Sequence, residues 1–459
     1  MGYSNFSNLN NFEQINTLMK KFIFSLAGAM VTTGFAPDAS AIPSFSRQTN
    51  MTCQSCHAQH VPILNGFGQA FKAAGYPLMG PQQGKVEGDR LSIPNTLNAS
   101  MRLKARYQKS NGADTDLIPG DSTNSGQWQV PEEFSLFFGG RISENAGFFF
   151  EGNTAAARLV SGFRLPAAYA VNNTRLSVIP YMTEMLGASY GYEQASTGAV
   201  RNVRWAEHRK EISAQQYVGT DGASTGAAFV AQNDMGYINF SLWAPAFMAH
   251  SGAAQTLRSN YLRIAATPVV STATRGDWAM HIGAQLWEGS NYASNLQATP
   301  TLVPVDTRAY ALDFQAFGQV RGKDLGVYAT WAQAPAGSAV KPNILNVGNT
   351  GTNPAGPADP GLYRVNDRSA WTIGAEYSLI QYTLHIGAAY RYANSGGATG
   401  ASGIVGDNPT DNATTLTFVY NISQNAEVHL NHSFYSGTLY DTPQTNGNQL
   451  TTFMLEASW

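Results

Sequence analysis

Along residues 97–108 every second position is apolar: Leu97, Ala99, Met101, Leu103, Ala105 and Tyr107 alternate with Asn98, Ser100, Arg102, Lys104, Arg106 and Gln108. A period of two puts the two sets on opposite faces of a β-strand. Twelve such residues exceed the roughly 5–6 of an ordinary soluble strand and suit the ~9–11 that cross a bilayer at a tilt. The alternation recurs at Trp278, Met280, Ile282, Ala284 and Leu286, and again at Tyr310, Leu312, Phe314 and Ala316. It also marks the chain end, where Phe453, Leu455, Ala457 and Trp459 share one face. Such strands turn one face to lipid and the other to a polar lumen.

The connections alternate as well. Short turns are expected near residues 143–145, 234–235, 321–323, 379–380 and 423–425. Long Gly, Ser, Asn and Pro-rich segments lie near 109–126, 188–225, 245–257, 290–306, 335–368, 393–412 and 437–447. Outer-membrane barrels carry short periplasmic turns at one rim and long external loops at the other. Residues 91–459 accommodate about sixteen antiparallel strands at roughly 23 residues per strand and connection. The expected fold is therefore an all-β transmembrane barrel of porin-like size, least defined between residues 157 and 189.

Ahead of the barrel the pattern changes twice. Residues 1–41 read as a secretory signal peptide: Met19-Lys20-Lys21, with Met19 an alternative start, leads into an apolar run from Phe22 to Gly34, and Ala39-Ser40-Ala41 supplies a small-residue cleavage site. That run is too short to span a bilayer as a helix, and Pro37 and Asp38 interrupt it. Residues 42–90 then form a small segment of their own. His60, Leu64, Phe67 and Phe71 recur at helical spacing, which predicts a helix ending at Gly75. A segment this short buries little of its own surface, so it is expected to seat in, or beneath, the mouth of the barrel.

The chemistry lies in this segment. Cys53-Gln54-Ser55-Cys56-His57 holds both cysteines of the chain and places a histidine directly after the second. This spacing is that of covalent c-type haem attachment, in which two thiols add to the haem vinyls and the histidine binds the iron. A four-thiolate zinc site needs a second cysteine pair, a redox pair of the thioredoxin kind a surrounding βαβ pattern, and a structural disulfide leaves His57 without a role. The expected cofactor is one haem c on Cys53, Cys56 and His57. Phe67 and Phe71 are candidates to pack on its face. Met79, just past the Gly75-Tyr76-Pro77 turn, is the candidate distal ligand, with His60, Met51, His281 and His429 as alternatives.

Composition agrees with the barrel and narrows the partners. Charged residues make up 13 %, with 45 Gly, 21 Tyr and 23 Phe, and the mean hydropathy of -0.21 is too low for a helical membrane protein. A net charge of -2 gives no basis for a nucleic-acid partner. The basic positions Arg102, Lys104 and Arg106 are candidate lumen residues, and Asp114, Asp116 and Asp121 a candidate external cluster for hard cations.

Taken together, residues 42–49, the Cys53–His57 motif, His60, Pro62, Leu64, Phe67-Gly68, Phe71-Lys72 and Gly75-Tyr76 resemble the opening of the fused monohaem cytochrome-porins, outer-membrane proteins of iron-oxidising bacteria. Gln69 departs from that pattern, where an arginine is usual, and this leaves Arg47 and Lys72 as the candidates to meet the haem propionates. The resemblance implies ferrous-iron oxidation at the cell surface. Electrons would pass through one haem to a periplasmic cytochrome or copper protein, with outer-membrane lipid around the barrel. The competing expectations are a solute porin whose haem segment gates it, and a haem peroxidase.

Overall fold

The computed structural model of the chain describes residues 43–89, 91–113, 124–155, 158–194, 205, 208–247, 256–272, 276–294, 302–338, 340–346, 366–397, 408–444 and 446–459. The expected leader and the acidic positions 114, 116 and 121 lie outside these residues.

Strand Ala99–Ser110 pairs on one side with Gln127–Ser143 and on the other with the last strand, Gln449–Ser458, so the sheet closes on itself. Every barrel pairing is antiparallel and, apart from that closing pair, joins strands adjacent in the chain, and three strands are each broken once. Arg158–Arg164 continues as Ala167–Val171, Ser259–Ala266 as Val269–Thr272, and Leu302–Asp306 as Ala309–Val320, each pair keeping one register against a common neighbour. Proline, which gives no N–H to a ladder, stands in two of the gaps, at Pro166 and Pro268. Joined this way, the ring is a closed barrel of sixteen strands.

Alternation sets the two faces. Outward Leu312, Ile282, Ile373, Ile264 and Leu416 are about half exposed, while their neighbours Asp313, His281, Thr372, Arg263 and Thr417 are buried towards the lumen. Trp331, Trp371, Tyr310 and Tyr392 face outward at the long-loop end, where amphipathic rings suit a bilayer interface. The opposite rim is made of tight turns such as Arg321-Gly322, both in the left-handed region at φ 55 and 73, a hairpin conformation that glycine supplies without strain.

Several boundaries differ from expectation. Barrel strands begin at Ala99 rather than 91, because Leu91–Pro94 folds back on Lys85–Gly88 as a separate hairpin. The turn expected at 379–380 falls at 381–383, where a register shift keeps Ile380 in its strand and Tyr382 takes φ 60. The undefined stretch 157–189 holds one broken strand and Thr174–Thr183, joined by Asn172-Asn173.

Two pieces of chain fill the lumen. From the short-turn end comes the N-terminal segment, with helices α1 (Pro43–Thr49) and α2 (Gly66–Ala73). From the long-loop end, residues 184–194, 205 and 208–223 fold inward, with helices α3 (Arg209–Ile212) and α4 (Ala214–Val218). The helix expected to include His60 is confined to α2. Pro62 disfavours helix at the residue before it, His57 pairs across a turn with Leu64, and Asn65 caps α2 by accepting from the Gly68 N–H at 3.0 Å.

Candidate functional site

The Cys53–His57 motif forms one tight turn. The N–H groups of Cys56 and His57 donate to the Cys53 carbonyl at 3.0 and 2.9 Å. Asn65 ties this turn to α2: its N–H donates to the Cys56 carbonyl at 2.9 Å and its Nδ2 to the Ser55 carbonyl at 3.1 Å. Gly68 makes the contact close, since a Cβ there would lie 2.2 Å from the Cys56 carbonyl oxygen. Gly68→Ala is therefore expected to push α2 off the motif and to cost about 1–3 kcal/mol, as overpacking does. Thermal unfolding and the haem content of the purified variant would check it.

The turn is anchored to the barrel. The Cys53 N–H donates to Gln424 Oε1 in a short turn at 3.0 Å. Gln48 Nε2 donates to the carbonyls of Tyr76 and Leu78, and its Oε1 accepts from the Arg141 N–H. Phe45 stacks on Tyr76 at 4.7 Å and meets Phe71 edge-on, joining α1 to α2 in one aromatic cluster. The wall itself makes room, because a Cβ on Gly147 would lie 2.1 Å from the Gly75 carbonyl oxygen.

Between this segment and the wall lies a cavity of about 1080 Å³, its open mouth included. Met51, Cys56, His57, Leu64, Phe71 and Lys72 line it from the N-terminal segment. Arg102, Phe137, Phe149, Glu151 and Arg164 line it from the barrel, and Leu186, Tyr190 and Glu193 from the inward-folded connection. His57 Nδ1 faces the Ile63 carbonyl at 3.2 Å, which leaves Nε2 as the ring's ligating nitrogen. Desolvation pulls the His57 imidazole down to about 4, against the Ile63 carbonyl and Glu427, so the ring is neutral at pH 7. Burial pushes the Cys53 thiol up to about 12 and raises Cys56 as well, and the two are not bonded to each other.

The expected site residues separate here. Cys56, His57, Phe71 and Lys72 reach the cavity, and Cys53 is buried at the start of the same turn. Phe67 does not: it is 41 % exposed, because the buried side of the short α2 is Gly68, Gln69, Phe71 and Ala73. Arg47 is spent elsewhere, its Nη1 donating to the Ala99 carbonyl at 2.6 Å. Met79 is not a lining residue, whereas Met51 lines the cavity. His60 is also outside it, with its side chain fully buried and Nε2 3.0 Å from Glu376 Oε1. Burial pulls its imidazole down, but Glu376 outweighs this and holds it up to about 9. His281 is bonded to Gln69 Oε1 at 2.9 Å.

Arg164, like Glu151 and Glu193, is a cavity residue that sequence reading missed. Its guanidinium lies over the Tyr190 ring at 3.9 Å, and its buried Nε and Nη1 have no hydrogen-bond partner. Only its polar place in a strand marks it in sequence, and nothing local links it to a motif a hundred residues earlier. The basic ladder on the first strand does face inward, but it is neutralised: Arg102 pairs with Glu456 at 2.9 Å, Lys104 with Glu133 and Arg106 with Glu132 at 3.4 Å.

From the other end, the described residues of the inward-folded connection bond to the lumen side of the strands. His208 bonds Ser433 and Thr452, Tyr435 donates to Glu211, and Arg391 holds the Lys210 carbonyl at 2.8 Å. Trp205, fully buried, donates its indole N–H to Glu376, the carboxylate that holds His60. The two lumen pieces thus meet on one side chain.

No family model matches this chain, and no curated protein matches it. Among solved structures it is similar to OmpT of Vibrio cholerae, at 13 % identity and TM-score 0.47 over 82 % of this chain and 100 % of that one. It is also similar to Salmonella typhi OmpF in complex with daunomycin, at 10 % identity and TM-score 0.48 over 82 % and 100 %. A third is an anion-selective porin from Comamonas acidovorans, at 10 % identity and TM-score 0.42 over 79 % and 99 %.

Proposed function

We propose that this chain is an outer-membrane barrel that carries one haem c and passes electrons from extracellular Fe(II) to a periplasmic cytochrome or copper protein. The observation that carries the reading is the placement of the Cys53–His57 turn inside the barrel, with His57 facing a cavity walled by all three parts of the fold. The residues fit the group. Cys53 and Cys56 are unbridged thiols for its vinyls, and His57 is a neutral imidazole oriented through Nδ1. Phe71, Phe137 and Phe149 offer an apolar lining, and the unpartnered Arg164 nitrogens suit a propionate, with Lys72 beside them. Met51 is the thioether at hand for a second axial position. A haem bound here would supply a one-electron centre within the thickness of the barrel.

The filled lumen favours this reading over a solute pore. Lumen-facing Arg263 and Asp313 pair at 2.6 Å with both side chains fully buried, and Asn239, Ser241, Asn431 and Thr452 are fully buried too. Anaerobic mixing of the purified, oxidised protein with Fe(II) is the test, with reduction of the haem absorbance expected. Protein whose haem Fe(II) reduces at no pH would sink the reading, and a large conductance in planar bilayers would put the solute pore in its place.

A further inference from the structure

Where the N-terminal segment meets strands Arg368–Ile380, Leu384–Asn394 and Ala426–Ser436, five titratable side chains converge. His60 of the segment faces Glu376 and His385 on neighbouring strands and Glu427 and His429 on another. Its ring lies 5.8 Å from His385 and 5.6 Å from His429, and His429 Nε2 is 3.0 Å from Glu427 Oε1. His60, Glu427 and His429 are all buried, and one donor atom of each lies within 4.8 Å of the other two. None of the three lines the cavity beside His57.

We propose that His60, His429 and Glu427 form a second metal site, separate from the haem cavity, that takes a divalent first-row transition ion. Two imidazoles and one carboxylate are the donor set of non-haem Fe(II) centres and suit Zn(II) and Co(II) equally. A cation at the centre of three donors no more than 4.8 Å apart would lie within about 2.8 Å of each, so side-chain movements under about 1 Å give the ~2.0–2.2 Å bonds of such ions. His429 Nδ1 is buried without a hydrogen-bond partner, a donor that the protein alone leaves unused. The ion takes the place of the proton that Glu376 holds on His60, so that one divalent cation and a neutral His60 then face the two buried carboxylates Glu427 and Glu376. Glu376 holds His60 Nε2 and orients the ring as a positioning residue, and Nδ1, which meets the Val61 carbonyl at 2.8 Å, exchanges that bond for the ion as it gives up its proton. The ion would clasp the N-terminal segment to the strand Ala426–Ser436, and the inference does not depend on what the haem does.

Titration of chelator-stripped full-length protein with Co(II), followed by visible spectroscopy and elemental analysis, tests the site. Cobalt keeps the count apart from haem iron. One saturable equivalent with a ligand-field band is expected. In His429→Ala and Glu427→Gln the affinity should fall by more than about 100-fold, and in Glu376→Gln by about 10–100-fold. His429→Gln, of similar size, serves if the alanine variant does not assemble, and heat-modifiable gel migration reports the folded barrel. Wild-type protein that takes up no Co(II), or variants that bind it as tightly as wild type, would overturn the site.

Discussion

Protein in which Cys53 and Cys56 are both alanine is expected to contain no haem that survives denaturation, while the barrel still assembles. Thioether bonds hold a haem through denaturation and axial coordination does not, so haem staining of a denaturing gel should fall from one equivalent to none. Fe(II)-driven reduction should be lost with it. The barrel is spared because its closure rests on the pairing of Gln449–Ser458 with Ala99–Ser110, which neither cysteine touches. One structural bond does involve this turn, the Cys53 N–H to Gln424, and a backbone donor survives the substitution. Haem fully retained after denaturation would contradict both the attachment and the function built on it.

Glu376→Ala is expected to release the N-terminal segment from the lumen. The carboxylate faces His60 with both side chains fully buried, and it accepts from the Trp205 indole. Its backbone carbonyl accepts from Gln59 at 2.8 Å, a bond that the substitution keeps. Removing one member of a buried ion pair costs about 3–5 kcal/mol, because the partner is left charged or must give up its proton without solvent. Since 1.4 kcal/mol is tenfold in an equilibrium, the open population should rise by at least about 100-fold. Limited proteolysis of residues 43–98 in the assembled barrel would show this as faster cleavage, whereas cleavage at the wild-type rate would mean that the aromatic cluster around Phe45 holds the segment by itself.

The barrel was legible because a lipid-facing strand repeats its rule at every second residue. The alternation from Leu97 to Tyr107 needs no knowledge of partners, and its outward set came out exposed or half-buried with Arg102 and Lys104 buried. Regularity failed where proline broke a strand, at Pro166, and where a bulge moved a turn, at Tyr382. The helical spacing of His60, Leu64, Phe67 and Phe71 misled for a similar reason. Periodicity carries no information about the cap at Asn65 or the turn that pairs His57 with Leu64, and those local bonds outweighed it.

The sequence by itself determined the closed sheet, its orientation-setting short and long connections, and the five-residue motif from Cys53 to His57. Each of these is written in spacings of a few residues. Only the tertiary structure decided what surrounds the motif: Arg164 rather than Arg47 at the cavity, Met51 rather than Met79, and His60 drawn away to Glu376 and His429. Arg164, Glu376 and His429 lie from about a hundred to more than three hundred residues further along the chain. Ring closure and two inward-folded segments bring them together, and no local pattern of hydrophobic and polar residues encodes a distance across a lumen.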